Sequence, residues 1–186
     1  MHGFLLRHTG VLQKINQPGS SFTILTGVNN SLTVVGQGNT GFTWKNGTFT
    51  TLDLTTPGAG ESEDINGISN PGIIVGDLFR ADFFNGWQKA GADVDVFQRI
   101  KGLDTRVNGV NGRDDLVGIA TGTNFGFVSF HQEPTETTET NEALKPVSIK
   151  FPGSQETIPW SINYSQSIVG TYTSANFVQH GFLAVH

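Results

Sequence analysis

The chain has no cysteine among its 186 residues, which excludes disulfides, thiolate metal sites and cysteine nucleophiles. Charge is scarce as well. Only 15% of residues are charged, and 16 Asp and Glu outnumber 11 Lys and Arg. A net charge of −5 and a pI near 5.4 argue against nucleic acid as a partner, because phosphate binding needs a basic surface. No apolar run reaches the roughly 18 residues that a membrane-spanning helix requires. The opening "MHGFLLRHTG" lacks a basic segment followed by a long apolar run, so it reads as the start of a mature or a cytosolic chain. No stretch shows sustained helical periodicity.

Glycine and phenylalanine are abundant, at 24 and 14 residues, and Asn, Thr and Ser fill much of the polar share. This composition suits short strands joined by tight turns. Internal repetition then organises the chain. "GVNNSLTVVG" at 27–36 returns as "GISNPGIIVG" at 67–76, "GVNGRDDLVG" at 109–118 and "SINYSQSIVG" at 161–170. The copies are 40, 42 and 52 residues apart. A Pro-Gly pair precedes three of them, at Pro18, Pro57 and Pro152, and only Gly102 stands in its place in the third. A Gly-aromatic pair follows each copy, at Gly41-Phe42, Gly86-Trp87, Gly126-Phe127 and Gly181-Phe182, and also opens the chain as Gly3-Phe4.

Each unit therefore reads as four short antiparallel strands, the signature of a propeller blade. The expected fold is an all-β, small β-propeller of four blades of four antiparallel strands, in one domain over 1–186. Repeat cores fall near 22–54, 62–100, 104–151 and 156–186, with 2–17 contributing closing strands and an insertion at 131–145. Fourfold repetition contradicts a threefold β-trefoil. "HGFLL" near the start and "HGFLAVH" at the end are the same strand twice, so one copy is redundant for ring closure and could pair with a second molecule as a homo-oligomer contact.

The pattern "HGFL…PGS…GVNNS…VVG…GF" resembles the HAF-type extracellular repeats, which carry a His-Ala-Phe-like strand and a G-I-N-x-x-G-x-I-V-G core. The resemblance spans nearly the whole chain apart from about 131–145. It implies a propeller-like fold and an extracellular or cell-surface location, and it implies no particular activity.

The repeated glycines do not form a phosphate loop, since no helix follows and no Lys-Ser/Thr ends the motif. They read as turn and close-approach positions. The five histidines have no metal-ligand spacing, and no metal or cofactor is expected. His2 and His180 share one repeat position, where a turn-fixing hydrogen bond is expected. Asp93 and Asp95 alternate with valines and read as the solvent face of a strand. The insertion "HQEPTETTETNEALKP" reads as a solvated loop, or as a lid or partner-contact segment.

Divergence among repeats is the sharper guide to a site. Three residues before the aligned Gly or Ser stand Ile24, Asp64, Arg106 and Ile158, and one residue before it stand Thr26, Asn66, Asn108 and Trp160. If this strand lines the channel, Asp64, Asn66, Arg106, Asn108 and Trp160 form a mixed polar and aromatic lining, with Tyr172 on the next strand. The alternative is an ion pair and amides that only hold blades in register. The expected function is non-catalytic binding of a glycan or small molecule at the channel mouth. Two alternatives stand beside it: a cofactor-independent cyclase- or isomerase-like enzyme using Asp64 and Arg106 with Trp160 stacking on substrate, and a structural surface repeat.

Overall fold

The computed structural model describes residues 1–55, 60–80, 82–98, 103–120, 124–130 and 146–185. The expected insertion at 131–145, Pro57-Gly58 and Gly102 lie outside the described residues. The protein is all-β, and its sheets follow one another as the blades of a four-bladed β-propeller arrangement.

An N-terminal hairpin, β1 (Gly3–Leu6) and β2 (Leu12–Ile15), comes first. Blade I holds β3 (Ile24–Val28), β4 (Val34–Gln37), β5 (Gly41–Lys45) and β6 (Thr48–Leu52) in sequential antiparallel order. Blade II repeats this with β7 (Ser62–Ile68), β8 (Ile74–Arg80), β9 (Phe83–Ala90) and β10 (Asp93–Phe97). Blade III has β11 (Thr105–Val110), β12 (Leu116–Ala120), β13 (Phe125–Ser129) and β14 (Val147–Ile149). Blade IV has three strands: β15 (Glu156–Ile162), β16 (Ile168–Thr173) and β17 (Gln179–Ala184).

The repeated motif builds the same corner four times. The first and second strands of each blade slip register at one place: between Leu25 and Gly27, Ile65 and Gly67, Val107 and Gly109, and Pro159 and Ser161. Beside this bulge the backbone carbonyl of the inner strand faces the closing glycine of "VVG", "IVG" or "LVG". A Cβ at Gly36, Gly76, Gly118 or Gly170 would stand about 2 Å from that carbonyl oxygen. The aromatic of the next strand packs on the same glycine, as Phe42, Trp87, Phe127 and Phe182. Glycine is therefore dictated by space at these positions.

The turn between the two strands also recurs. Its fifth residue past the aligned position has positive φ in every copy: Leu32 at 56°, Gly72 at 102°, Asp114 at 66° and Gln166 at 62°. Asn29 does not itself take the left-handed conformation that the Asn-rich motif suggests. Its Oδ1 instead accepts from the backbone N–H groups of Ser31 and Thr33, at 3.1 and 3.0 Å. Asn111 accepts in the same way from Arg113 and Asp115. The amide nitrogens then cross to the next blade, Asn29 donating to the Ser69 carbonyl and Asn111 to that of Asn163. One side chain thus shapes a turn and ties it to its neighbour.

Apolar packing between successive blades supplies the core. Val35 and Leu52 of blade I pack with Ile65, Leu78 and Trp87 of blade II. Val75 of blade II meets Val107, Leu116 and Phe127 of blade III, and Val117 and Val128 of blade III meet Ile162, Ile168 and Phe182 of blade IV. The hairpin covers the other face of blade I through Leu5 and Ile15, against Val34, Phe42 and Trp44.

Candidate functional site

Each of the six residues singled out by divergence has a partner elsewhere in the fold. Asp64 is exposed on β7, and its Oδ1 accepts a 2.7 Å hydrogen bond from Gln37 Nε2 of blade I. Arg106 lies on β11 with its guanidinium 3.7 Å above the Phe84 ring of blade II. The two charges make no direct ion pair with each other. Asn66 donates to the Val107 carbonyl at 2.8 Å, and Asn108 donates to that of Pro159 at 2.8 Å. Each amide therefore joins its own inner strand to the next. Trp160 occupies the same repeat position in the last blade, is half exposed, and donates from Nε1 to Thr171 Oγ1 at 3.1 Å. Tyr172 stacks on Phe151, with ring centroids 3.7 Å apart and planes 6° off parallel, and its other neighbour is the His180 ring. His2 pairs instead with Asn16, at 3.1 Å, so the shared repeat position does not impose a shared contact.

A residue that strand-by-strand comparison passed over sits between Asp64 and Arg106. Asp77, on β8 directly opposite Asp64, is buried. Its Oδ1 accepts from the Val107 N–H at 2.8 Å, and its Oδ2 accepts from Asn66 Nδ2 at 3.2 Å. Burial pushes its carboxyl up to about 7, and the nearby Asp64 charge adds to the rise. The Val107 and Asn66 donors and the Arg106 charge oppose it. The signal was available: Gln37, Asp77, Ile119 and Thr171 all follow the closing glycine, and Gln37 performs the corresponding task by donating to the Glu63 carbonyl.

Asp64 does border a cleft between blades I and II, of about 340 Å³. Phe22 forms an apolar wall, and Gln37, Asn39, Thr40 and Thr55 bring amides and hydroxyls. Asp53, Glu61, Glu63 and Asp64 supply carboxylates. Glu61 is engaged by Arg80, with Nε at 2.6 Å from Oε1. Glu63 is partly buried and accepts from the Leu54 N–H at 2.8 Å through Oε2. Desolvation raises its carboxyl to about 7, with the Asp53 and Asp64 charges adding to the effect. The Thr55 hydroxyl and N–H hold Asp53 below its ordinary value. Such a cleft repels anions and offers donors and acceptors to a neutral polar ligand. Near the far ends of the inner strands, a wider cleft of about 580 Å³ runs along Asn70, Asn111, Asn163 and Tyr164. The amides of Asn111 and Asn163 there are engaged by the turns and the blade-to-blade bonds. Among the described residues, no group of three or more His, Cys, Asp or Glu is arranged to hold a metal ion.

The raised carboxyls imply a pH dependence. Between the ordinary values of 3.8 for Asp77 and 4.5 for Glu63 and the folded values near 7, the folded state binds more protons than the unfolded chain. Stability from these groups is therefore greatest at the acid end of that window and declines as pH rises through about 7. Thermal melts are expected to show a lower Tm at pH 8 than at pH 5.5. Glu63→Gln should reduce that difference.

The chain matches no protein-family model and no curated protein sequence.

Proposed function

We propose that the protein is a non-catalytic β-propeller binding module for a neutral glycan or similarly polyhydroxylated small molecule. The observation that carries this reading is the cleft between blades I and II. It combines the partly exposed Phe22 ring with the Asp64 carboxylate, which the Gln37 amide nitrogen orients from blade I. Ligand hydroxyls can donate to such a carboxylate, and the apolar face of a pyranose matches an aromatic wall. The acidic rim selects against sulfated or uronic-acid ligands. The HAF-like repeat pattern adds the second half of the proposal, an extracellular or cell-surface setting in which glycans are the common polar ligands.

The test is calorimetric titration with neutral hexose and N-acetylhexosamine oligosaccharides, with a sulfated oligosaccharide as the counter-example. Asp64→Ala is expected to weaken binding about tenfold, the loss of one charge-assisted hydrogen bond. It should leave the Tm nearly unchanged, because Asp64 is exposed. Unaltered affinity in that variant, or stronger binding of the sulfated ligand, removes the cleft from consideration.

A further inference from the structure

We propose that this chain associates head to tail with a second copy of itself, blade IV of one copy packing on the N-terminal hairpin of the other. The inference goes beyond ligand binding and rests on how each complete seam between blades is made. At each seam the valine before the closing glycine of one blade shares an apolar cluster with the Gly-aromatic residue of the next. Val35 meets Trp87, Val75 meets Phe127, and Val117 meets Phe182. The three valines are each 0% exposed.

Among the described residues, two members of this series have no counterpart. Val169 is the fourth valine and is 47% exposed. Phe4 is the remaining Gly-aromatic residue and is 65% exposed, against 0% for Phe42 and Trp87 and 4% for Phe127. Their neighbours agree. Leu183 corresponds to the buried Val128 and lies open beside Val169, while Leu6 and Leu12, a cross-strand pair, lie open beside Phe4. The hairpin is thus packed on one face only, against blade I, and blade IV on one face only, against blade III. No strand pairing joins β17 to β1 or β2 among the described residues.

The two open faces are different surfaces with matching partners, so the contact is heterologous. A second copy supplies each with the kind of face that the other seams already use. The hairpin then lies between blade IV of one copy and blade I of its own, as blade II lies between blades I and III. Neighbouring exposed apolar side chains such as Val169 with Leu183, and Phe4 with Leu6 and Leu12, are the kind of surface that marks interaction sites.

Sedimentation velocity over a concentration series tests this. The wild-type protein is expected to self-associate reversibly, and Phe4→Asp and Val169→Asp should each weaken association by at least ~30-fold. Mixing the two variants should restore a 1:1 complex, since one retains a sound Val169 face and the other a sound Phe4 face. Both residues are exposed, so at concentrations where the wild type is monomeric each variant should melt with it. A wild-type protein that stays monomeric throughout overturns the proposal, as does a mixture that stays monomeric while wild type associates. A large drop in the variants' Tm at concentrations where the wild type is also monomeric overturns it too, because the seam would then be closed within one chain.

Discussion

Gly76→Ala is expected to destabilise the protein by about 3 kcal/mol, near the top of the usual range for forcing extra volume into a packed interior. In a chain of this length that corresponds to a fall in Tm of roughly 6–12 °C. The new Cβ would stand 1.9 Å from the Asp64 carbonyl oxygen and 2.8 Å from Trp87 Cζ2. The first obstacle is backbone, held by the bulge between Ile65 and Gly67, and cannot rotate away. The second is a fully buried indole in the cluster joining blades I and II. Relief requires that the bulge open or the ring shift, and either disturbs the seam. Gly67→Ala supplies the contrast within the same motif. Its Cβ would meet nothing nearer than Val75 Cγ2 at 3.8 Å, an ordinary contact. Gly67 is not at positive φ, so alanine there restricts the unfolded chain and should be neutral or stabilising by up to about 1 kcal/mol. Chemical denaturation of both variants checks the pair. Equal effects would mean that the glycines serve the turn alone and that the carbonyl contact is irrelevant.

This contrast also shows how far the repeat was readable in advance. The blade count and strand order follow from spacing, because Gly27, Gly67, Gly109 and Ser161 recur together with a closing glycine and a Gly-aromatic pair. What each glycine does is a matter of cross-strand distance, which spacing does not carry. The turn is similar. Asn29 and Asn111 mark it correctly, but the positive φ falls on Leu32 and Asp114, because the asparagine side chains serve as acceptors for the turn's N–H groups. The site was less legible for a physical reason. Comparing one strand across repeats assumes that unlike residues at one position face a common space. Asn66 and Asn108 instead reach sideways to the next blade, and Arg106 lies back over Phe84. The cleft at Asp64 is assembled from Phe22, Asn39, Asp53 and Glu63, which meet only when blades I and II pack. Trp160 stands at the same repeat position but bonds within its own blade, to Thr171.

Asp77 is where the second large effect is expected. Asp77→Ala should cost about 2–3 kcal/mol at pH 5.5, by leaving the buried Val107 N–H without its acceptor and Asn66 with one partner fewer. The pH matters to the size of the loss. Because burial raises the folded-state carboxyl from 3.8 to about 7, this group's contribution falls as pH climbs between those values and levels off above about 7. The cost of removing Asp77 should therefore shrink between pH 5.5 and pH 8. Asp77→Asn separates the two contributions. An amide oxygen can still accept from Val107, and the side chain is neutral at every pH, so the pH-dependent part disappears. Its NH₂ group, however, faces Asn66 Nδ2, donor against donor. Turning the Asn66 amide relieves that clash only by giving up the bond to the Val107 carbonyl. Asp77→Asn should accordingly lie between wild type and Asp77→Ala in stability at pH 5.5. Melting curves across the pH range decide the matter. If the alanine variant loses the same amount at pH 5.5 and pH 8, the Asp77 carboxyl is ionised throughout, and Val107 and Asn66 hold it as a charged clasp between blades II and III.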